Sequence, residues 1–482
     1  MSRVAPIFHI LGIILAVLSL TMLLPAGIDY WDGDHNVHGF LDAALITGFV
    51  GVLVSLATRP SSPQGLSARQ AYLLTALIWV LIPLFGALPF LLGAPDISFT
   101  DAYFESVSGI TTTGSTILTE LETLPRGVLL WRGMLNWMGG LGIAFVAMIF
   151  LPVMRVGGMQ FFRTEGFDTL GKILPRARDI ARALLAAYAG LTLLCALSYI
   201  GCGMPVFDAS IHAMATLATG GFSTHDSSFG AYAGTAEYAG TFFMLIGGMP
   251  FIRFVQLARG QSLPLWRDPQ VRALLRWFAY AVIAVVFWRM THGATDFEQT
   301  LRETLFNFAS IMTGTGFGSA DVGAWGAFPV TLAFCLGMIG GCTGSSSGAL
   351  SVFRCLALIS AIRSAIQRLH SPHRMVQPRL DGKPLDEDVL NPMMMYFTGY
   401  ILILGVLTVL ISMTGVDMQS AVFAIWTSMG NIGFGFGPMV ARTGTMVDFS
   451  DQATWIMTLA MLLGRLGLLA ILVVFMPRFW RE

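Results

Sequence analysis

Four segments of this chain follow one pattern and decide its fold: FESVSGITTTGST (104–116), IHAMATLATGGFS (211–223), FNFASIMTGTGFG (306–318) and FAIWTSMGNIGFG (423–435). Each segment runs through a helix-length stretch into a Gly-rich turn. The segments align on one glycine each, with a bulky apolar residue ten positions earlier and a small residue six positions earlier. We name these the anchor glycines: Gly114, Gly221, Gly316 and Gly433. Four matches in one register indicate an internal repeat of about a hundred residues.

The sequence around these segments is that of a membrane protein. Of the 482 residues, 55% are hydrophobic and only 12% are charged, and the mean hydropathy is +0.70. Apolar stretches repeatedly reach the roughly 20 residues that a helix needs to cross a bilayer, which excludes a soluble enzyme. We predict spans at roughly 6–26, 38–58, 70–93, 127–152, 182–203, 235–257, 274–294, 325–360, 392–415 and 453–476. No small-residue cleavage site follows the first span, so we interpret it as a retained helix.

The charges of the loops predict a topology. The 28 Lys and Arg residues balance the 28 Asp and Glu residues, so the net charge gives no sign of a nucleic-acid partner. Most of the basic residues fall in alternate loops, which predicts that both termini are cytoplasmic. Most of the acids fall in the other loops, and an acidic outer mouth would concentrate cations. Solvated loops with no steering role explain each single acid equally well.

Each repeat combines two spans with the segment between them. Every copy then starts and ends on the inner side, so the four copies are related by rotation about the membrane normal. We predict an all-α polytopic membrane protein with four pseudo-symmetric helix–pore loop–helix units around a central pore. Two extra N-terminal helices occupy 1–65, and the units occupy 66–165, 166–262, 263–385, in which the second helix is broken, and 386–482.

The turns predict a pore lining with cation ligands. They carry no acidic or basic side chain, so the ligands must be carbonyl and hydroxyl oxygens, which can replace the hydration shell of a monovalent cation. Irregular backbone at membrane depth is tolerated only inside protein or beside a water-filled cavity, which favours a pore over flexible outer loops. The predicted selectivity-filter residues are Thr111, Thr112, Thr113, Gly114, Thr219, Gly220, Gly221, Gly314, Thr315, Gly316, Asn431, Ile432 and Gly433.

A second feature predicts a gate below the turns. The eighth predicted span is too long for one straight crossing and contains GGCTGSSSG (340–348), which a helix cannot hold at low cost. Arg465 is the one charge deep in a predicted span, where burial costs at least roughly 2.5 kcal/mol. We expect it to form a barrier to cations and to hold the broken segment, or else to tie helices together. The predicted gate residues are Gly340, Gly341, Cys342, Thr343, Gly344, Ser345, Ser346, Ser347, Gly348 and Arg465.

Other motifs do not indicate an enzyme. The run 344–348 formally matches a nucleophile elbow, but that motif needs a strand–turn–helix context, and the chain has no Walker motif. We expect His212 and His225, which flank the second turn, to be capping or packing residues and not proton carriers. The five cysteines lie in or beside apolar spans, which indicates buried thiols and no disulfide or metal framework.

Several motifs, in this order, resemble one family. TTTGS (111–115), ATGGFSTHD (218–226), MTGTGFG (312–318) and GNIGFGFGP (430–438), with GGCTGSSSG and GRL (464–466), are similar to the TrkH/TrkG branch of the bacterial Trk/Ktr/HKT potassium-transport superfamily. The likeness implies a potassium selectivity filter, with Gly at the first anchor linked to potassium preference. It also implies a homodimer with a pore in each subunit in the bacterial inner membrane, regulated by a cytoplasmic nucleotide-binding ring protein of the TrkA type.

The sequence departs from that family at two places near the predicted gate. Ala349, Leu350 and Ser351 stand where Gly and Lys are common in the family, and Gly467 stands where many relatives have an acid. These departures lie in the segments on which gate stability and coupling to a regulator would depend. The basic inner loop 361–391 is either a docking surface for such a regulator or an anchor beside lipid headgroups.

We therefore predict potassium uptake across a membrane, with K⁺ as the transported ion and no covalently bound cofactor. Channel-like passage is the first hypothesis, and symport with H⁺ or Na⁺ is the alternative. A carboxylate inside a span would favour symport, and Asp42 at the edge of the second span is the one that the sequence offers. The fourfold register disfavours a membrane receptor or scaffold.

Overall fold

The chain is helical almost throughout. The computed structural model describes residues 4–60, 66–145, 177–371 and 376–466. Within these ranges one antiparallel hairpin, formed by β1 (Arg379–Leu380) and β2 (Lys383–Pro384), is the only β structure. The predicted all-α polytopic membrane fold is confirmed.

The helices follow the order of the repeats. The N-terminal region contains α1 (Ala5–Thr21), α2 (Leu23–Asp32) and α3 (Val37–Ala57). The first repeat contains α4 (Ala68–Gly86), α5 (Leu88–Leu92), α6 (Phe99–Ile110) and α7 (Arg126–Phe145). The second contains α8 (Ala177–Gly201), α9 (Val206–Ala218), α10 (Thr235–Gly247) and α11 (Phe251–Ala258). The third contains α12 (Leu263–Arg267), α13 (Pro269–Thr291), α14 (Phe297–Thr313), α15 (Ala327–Ile339) and α16 (Val352–His370). The fourth contains α17 (Glu387–Ser412), α18 (Met418–Gly430), α19 (Pro438–Ala441) and α20 (Asp451–Leu466).

Four short helices, α6, α9, α14 and α18, precede the anchor glycines, and we name them the re-entrant helices. Three of them begin at a side-chain cap, because a Ser or Asp oxygen accepts an otherwise unpaired backbone N–H of the first turn. The caps are Ser98 to Asp101 N (3.2 Å), Asp296 to Glu298 N (2.9 Å) and Asp417 to Ser420 N (3.0 Å). The residue before α9 is Pro205, and this helix has no side-chain cap.

Six described helical segments are long and apolar enough to cross a membrane. Two of them combine consecutive helices, α1 with α2 and α4 with α5. The six segments are Ala5–Asp32, Val37–Ala57, Arg69–Leu92, Asp179–Gly201, Pro269–Thr291 and Glu387–Ser412. Ten spans were expected from hydropathy; of the other four, 235–257 is bent and 325–360 is broken. The ends of the predicted spans 127–152 and 453–476 lie outside the described residues, as does Gly467.

One predicted span, 235–257, contains a sharp bend that was not predicted. The helix ends at Gly247 and α11 starts at Phe251 after a bend of 99°. Pro250 explains the break, because proline disfavours helical backbone at the residue before it. The carbonyl of Gly248 accepts a hydrogen bond from Cys342 N (2.8 Å) instead of continuing the helix.

The predicted break of the eighth span is confirmed. Helix α15 ends at Ile339, and α16 starts at Val352. We name the segment between them, 340–351, the cross-loop. Gly340 and Gly344 have φ of +74° and +85°, which glycine adopts without a steric penalty.

Candidate functional site

Two residues of each turn have left-handed backbone, with a positive φ. The anchor glycines have φ of +83°, +69°, +86° and +80° in chain order. The residues two positions earlier are also left-handed: Thr112 (52°), Thr219 (50°), Gly314 (72°) and Asn431 (50°). A left-handed residue is a common helix end, so the re-entrant helices stop beside the turns. The partial negative charge of their four C-terminal ends is therefore directed at the turns.

One hydrogen bond repeats in all four turns. The backbone N–H before each anchor glycine donates to the carbonyl five residues earlier. The pairs are Thr113 with Ser108 (2.9 Å), Gly220 with Ala215 (2.8 Å), Thr315 with Ser310 (2.8 Å) and Ile432 with Thr427 (2.9 Å). The acceptor is the small residue of the sequence pattern in every case, because the chain folds back over it.

The four turns pack against one another in a closed ring. A Cβ atom added to any anchor glycine would collide with a carbonyl oxygen of the next turn. The distances would be 2.2 Å from Gly114 to Gly220, 2.0 Å from Gly221 to Thr315, 2.3 Å from Gly316 to Ile432 and 2.2 Å from Gly433 to Thr113. The contacts run from turn one to two, three, four and back to one, so the turns surround a common axis. We name this arrangement the anchor ring.

A cavity of about 860 Å³ opens on one side of the anchor ring and is lined by all four anchor glycines. Asp226 and Asp321, which the sequence assigns to outer loops, also line it. Two other acids that the sequence places on the outer side, Glu105 and Glu237, do not line this cavity. Both are fully buried and paired, with Arg132 and Arg302 respectively.

The rim of this cavity joins the first two repeats. The carboxylate of Asp226 accepts the backbone N–H groups of Glu120 (2.8 Å) and Leu121 (3.0 Å). Glu122 accepts from Asp226 N (3.1 Å) and lies 3.2 Å from His225 Nδ1. Desolvation acts to raise the pKa of Glu122, but backbone N–H groups and His225 outweigh it, and the pKa is lowered overall.

The cross-loop lies on the opposite side of the anchor ring, against the ends of two re-entrant helices. Ser346 Oγ donates to the carbonyl of Leu217 (2.9 Å) and accepts from Thr219 Oγ1 (3.2 Å). A Cβ on Gly348 would lie 2.5 Å from the carbonyl oxygen of Gly430, so the loop also touches the fourth turn. All the predicted gate residues are described, and nine of them lie in this loop.

Arg465 reaches the cross-loop, as the sequence suggested. Its Nη2 atom donates to the carbonyl of Ser346, and its Nε atom is buried without a partner. In the other repeats, Gly140, Gly248 and Gly341 each follow a glycine downstream of the turn, as Arg465 follows Gly464. An arginine therefore stands where three repeats have glycine.

The bent helix pair α10 and α11 holds the cross-loop from behind, and the sequence did not predict this. Phe251 N donates to the carbonyl of Gly344 (3.0 Å), next to the bond between Cys342 and Gly248. Gln270 Oε1 accepts from Thr343 N (2.9 Å). The motif GGMP (247–250) was the available signal, because it combines a flexible pair with a helix breaker.

The sequence pattern also did not include the position nine residues before the anchor glycine, where three repeats have a buried polar residue. It is Glu105, His212 or Asn307 in the first three repeats and Ala424 in the fourth. Each polar one bonds the chain that leaves the turn: Glu105 with Thr116 (2.9 Å), His212 with Ser223 (3.0 Å) and Asn307 with Ser319 (2.9 Å). For His212 this agrees with the packing role expected from the sequence.

The chemistry available at the ring is that of neutral oxygens. In the part of the chain that the structure describes, no group of three or more His, Cys, Asp or Glu side chains could hold a metal ion. Carbonyl oxygens of the turns, with the hydroxyls of Thr111 and Thr113 2.8 Å apart beside them, are the ligands present. Such a set suits a monovalent cation that has lost its water.

Comparison with known proteins gives one consistent family. The sequence pattern of TrkH, described as a cation transport protein, matches residues 38–482. The Trk system potassium uptake protein TrkI of Halomonas elongata is 37% identical over 100% of this chain and 98% of its own length. TrkH of Escherichia coli K12 is 35% identical over 99% of each chain. The crystal structure of the potassium transporter TrkH from Vibrio parahaemolyticus matches with a TM-score of 0.91 and 32% identity over 99% of both chains.

Proposed function

This chain belongs to the TrkH family of cation transport proteins, and from that premise we propose that it takes up potassium through the anchor ring. The resemblance stated from the sequence is confirmed. The observation that carries the proposal is the closed ring itself, in which each anchor glycine packs against a carbonyl of the next turn. Relatives of this chain are named as potassium uptake proteins, and a ring of neutral oxygens is the chemistry that potassium requires.

In the proposed mechanism, the ion passes from the outer cavity into the anchor ring and loses its water there. Cations collect in the outer cavity, where Asp226 and Asp321 contribute negative charge. They lose water as they reach the turns, because turn oxygens take the place of the hydration shell. The C-terminal ends of the re-entrant helices stabilise the ion there. The thirteen filter residues predicted from the sequence supply these oxygens.

The cross-loop and Arg465 control the inner exit in this proposal. The loop contacts the second and fourth turns through Ser346 and Gly348. Arg465 adds a buried positive charge beside the loop, which repels a cation that has passed the ring. Opening therefore requires the loop and the arginine to move away together.

The setting of the protein is also a proposal. We place it in the bacterial inner membrane with both termini in the cytoplasm, as the basic loops predict. We assign it a homodimeric state with a pore in each subunit, beside lipid. A cytoplasmic nucleotide-binding ring protein of the TrkA type would dock on the basic inner loop around 361–391. We keep the repeat boundaries predicted from the sequence as part of this proposal.

Ion flux into proteoliposomes that contain the purified chain tests the function. We expect potassium uptake to exceed sodium uptake, with no flux in vesicles that lack the protein. Equal flux of potassium and sodium would refute the proposal of a selective filter. The same vesicles with and without a proton or sodium gradient separate the mechanisms. Potassium flux that requires such a gradient would show that the protein is a symporter and not a channel.

A further inference from the structure

We propose that Glu105 and Arg132 position the first two anchor turns and thereby help to set the ion selectivity of the ring. This inference rests on the proposed function. The two side chains form a buried ion pair, with Arg132 Nε 2.8 Å from Glu105 Oε1 and exposures of 1% and 0%. Arg132 also lines the outer cavity, whereas Glu105 does not, and both side chains bond segments of chain that leave the first two turns.

One arm of the pair holds the second turn. Arg132 Nη1 donates to the carbonyl of Ser223 (2.8 Å). The guanidinium group also lies 4.2 Å from the centre of the Phe222 ring, a cation–π contact that strengthens when it is desolvated. Phe222 and Ser223 are the two residues that follow Gly221. The arginine therefore fixes the chain as it leaves the second turn.

The other arm holds the first turn. Arg132 Nη2 donates to Thr116 Oγ1 (3.1 Å), and the hydroxyl of Thr116 donates to Glu105 Oε1 (2.9 Å). The backbone N–H of Ile117 donates to Glu105 Oε2 (3.2 Å). Thr116 stands two residues after Gly114. A single buried network thus connects equivalent positions of neighbouring turns.

The hydrogen bonds described at other junctions of the ring use neutral groups, either backbone atoms or the side chains of Asn431 and Ser228. The carbonyl of Gly318 accepts from Phe229 N (3.0 Å) and Gly230 N (3.2 Å), and the carbonyl of Thr116 accepts from Met446 N (2.8 Å). A buried charge whose partner is removed is strongly destabilised. The ion pair therefore resists displacement more than those bonds do. It holds constant the spacing between turns one and two, on which discrimination between cations of different size depends.

The test compares Arg132→Lys, Glu105→Gln and Thr116→Val in proteoliposomes, with potassium and sodium flux measured in the same preparation. Lys lacks the planar fork with which Arg132 reaches Glu105, Ser223 and Thr116 from three separate nitrogens. Val removes the bridging hydroxyl of Thr116 while both charges stay. We expect the ratio of potassium to sodium flux to fall about tenfold in Arg132→Lys and less in Thr116→Val. A lower fraction of folded protein reduces both fluxes equally and leaves this ratio unchanged.

Arg289 and Glu303 provide a matched control. They form a similar pair, 2.6 Å apart and each 13% exposed, and Arg289 lies 3.9 Å from the Trp325 ring. No described contact of this pair reaches an anchor turn, so Arg289→Lys should keep the flux ratio within about twofold of the wild type.

A wild-type ratio in both Arg132→Lys and Thr116→Val overturns the positioning role. If Arg132→Lys does not fold, Thr116→Val alone decides the question, because it keeps the ion pair. A wild-type chain without potassium preference refutes the proposed function, and the inference with it. That outcome is distinguishable, because it appears before any variant is compared.

Discussion

Gly221→Ala is the sharpest test of the anchor ring. The new Cβ would lie 2.0 Å from the carbonyl oxygen of Thr315, whereas real Cβ contacts stay above 3.0 Å. The third turn must therefore move outward by about 1 Å. The φ of +69° adds strain, which is roughly 1–2 kcal/mol for a residue with a side chain. The displaced carbonyl then coordinates the ion less well, and since a loss of about 1.4 kcal/mol in that coordination is a factor of ten, we expect potassium flux to fall at least tenfold.

The assay is potassium and sodium flux in proteoliposomes at equal protein content, with two glycine controls. Gly405→Ala places a Cβ in open space within a helix, so flux should match the wild type. Gly415→Ala has a φ of +91° and also meets no atom within 4 Å, so it carries backbone strain without a collision. We expect a lower melting temperature but normal selectivity in Gly415→Ala.

The result that would refute this reasoning is specific. Wild-type flux and selectivity in Gly221→Ala would mean that the contact with Thr315 does not shape the ion path. An equal loss of selectivity in Gly415→Ala would mean that general backbone strain, and not displacement of a ring carbonyl, causes the effect. Loss of flux confined to Gly221→Ala supports the ring.

Three further predictions concern the exit and the helix ends. Arg465→Ala should raise potassium flux roughly threefold or more, because a positive charge beside the path is removed; unchanged flux in folded protein would exclude a barrier. Ala349→Gly should raise the melting temperature slightly, because Ala349 has a φ of 62° that costs roughly 1 kcal/mol in strain; an unchanged or lower value contradicts this. The hydrogen bond with Ser420 lowers the pKa of Asp417, so its cap stabilises the fold above the usual carboxyl pKa of about 3.9 and is lost as the pH falls through the lowered value. Asp417→Ala should therefore reduce the melting temperature at pH 7 and change it little at pH 2, which thermal unfolding at both pH values checks.

The sequence was sufficient for features that depend on local chemistry. The four turns were recognisable because left-handed backbone, close approach and a helix end each select a small set of residues at fixed spacing. The break at 340–348 was recognisable for the same reason, because a run of Gly and Ser is a poor helix at any position. These features need no knowledge of what packs against them.

Features that depend on contacts between distant segments were not accessible. Glu105 and Arg132 read as ordinary outer-loop charges, because their pairing appears only when the first re-entrant helix lies against α7. The bend after Gly247 was hidden by an uninterrupted apolar run, since hydropathy measures lipid compatibility and not helix continuity. The motif GGMP (247–250) was the signal for a break, but the hydrogen bond from Cys342 N to the Gly248 carbonyl is evident only in the structure.

The fourfold pattern and its exceptions have different physical origins. Ion coordination on an axis requires equivalent backbone from every repeat, and accordingly the φ values and the hydrogen bond behind each anchor glycine recur in all four turns. Control of the ion requires a difference between repeats, because a symmetric ring has no element that can move alone. Two exceptions lie in that category: the broken helix of the third repeat and Arg465 in the fourth. Arg465→Gly should therefore keep the wild-type selectivity while its flux at rest increases. Measuring both quantities in this variant separates ion coordination from control of the exit.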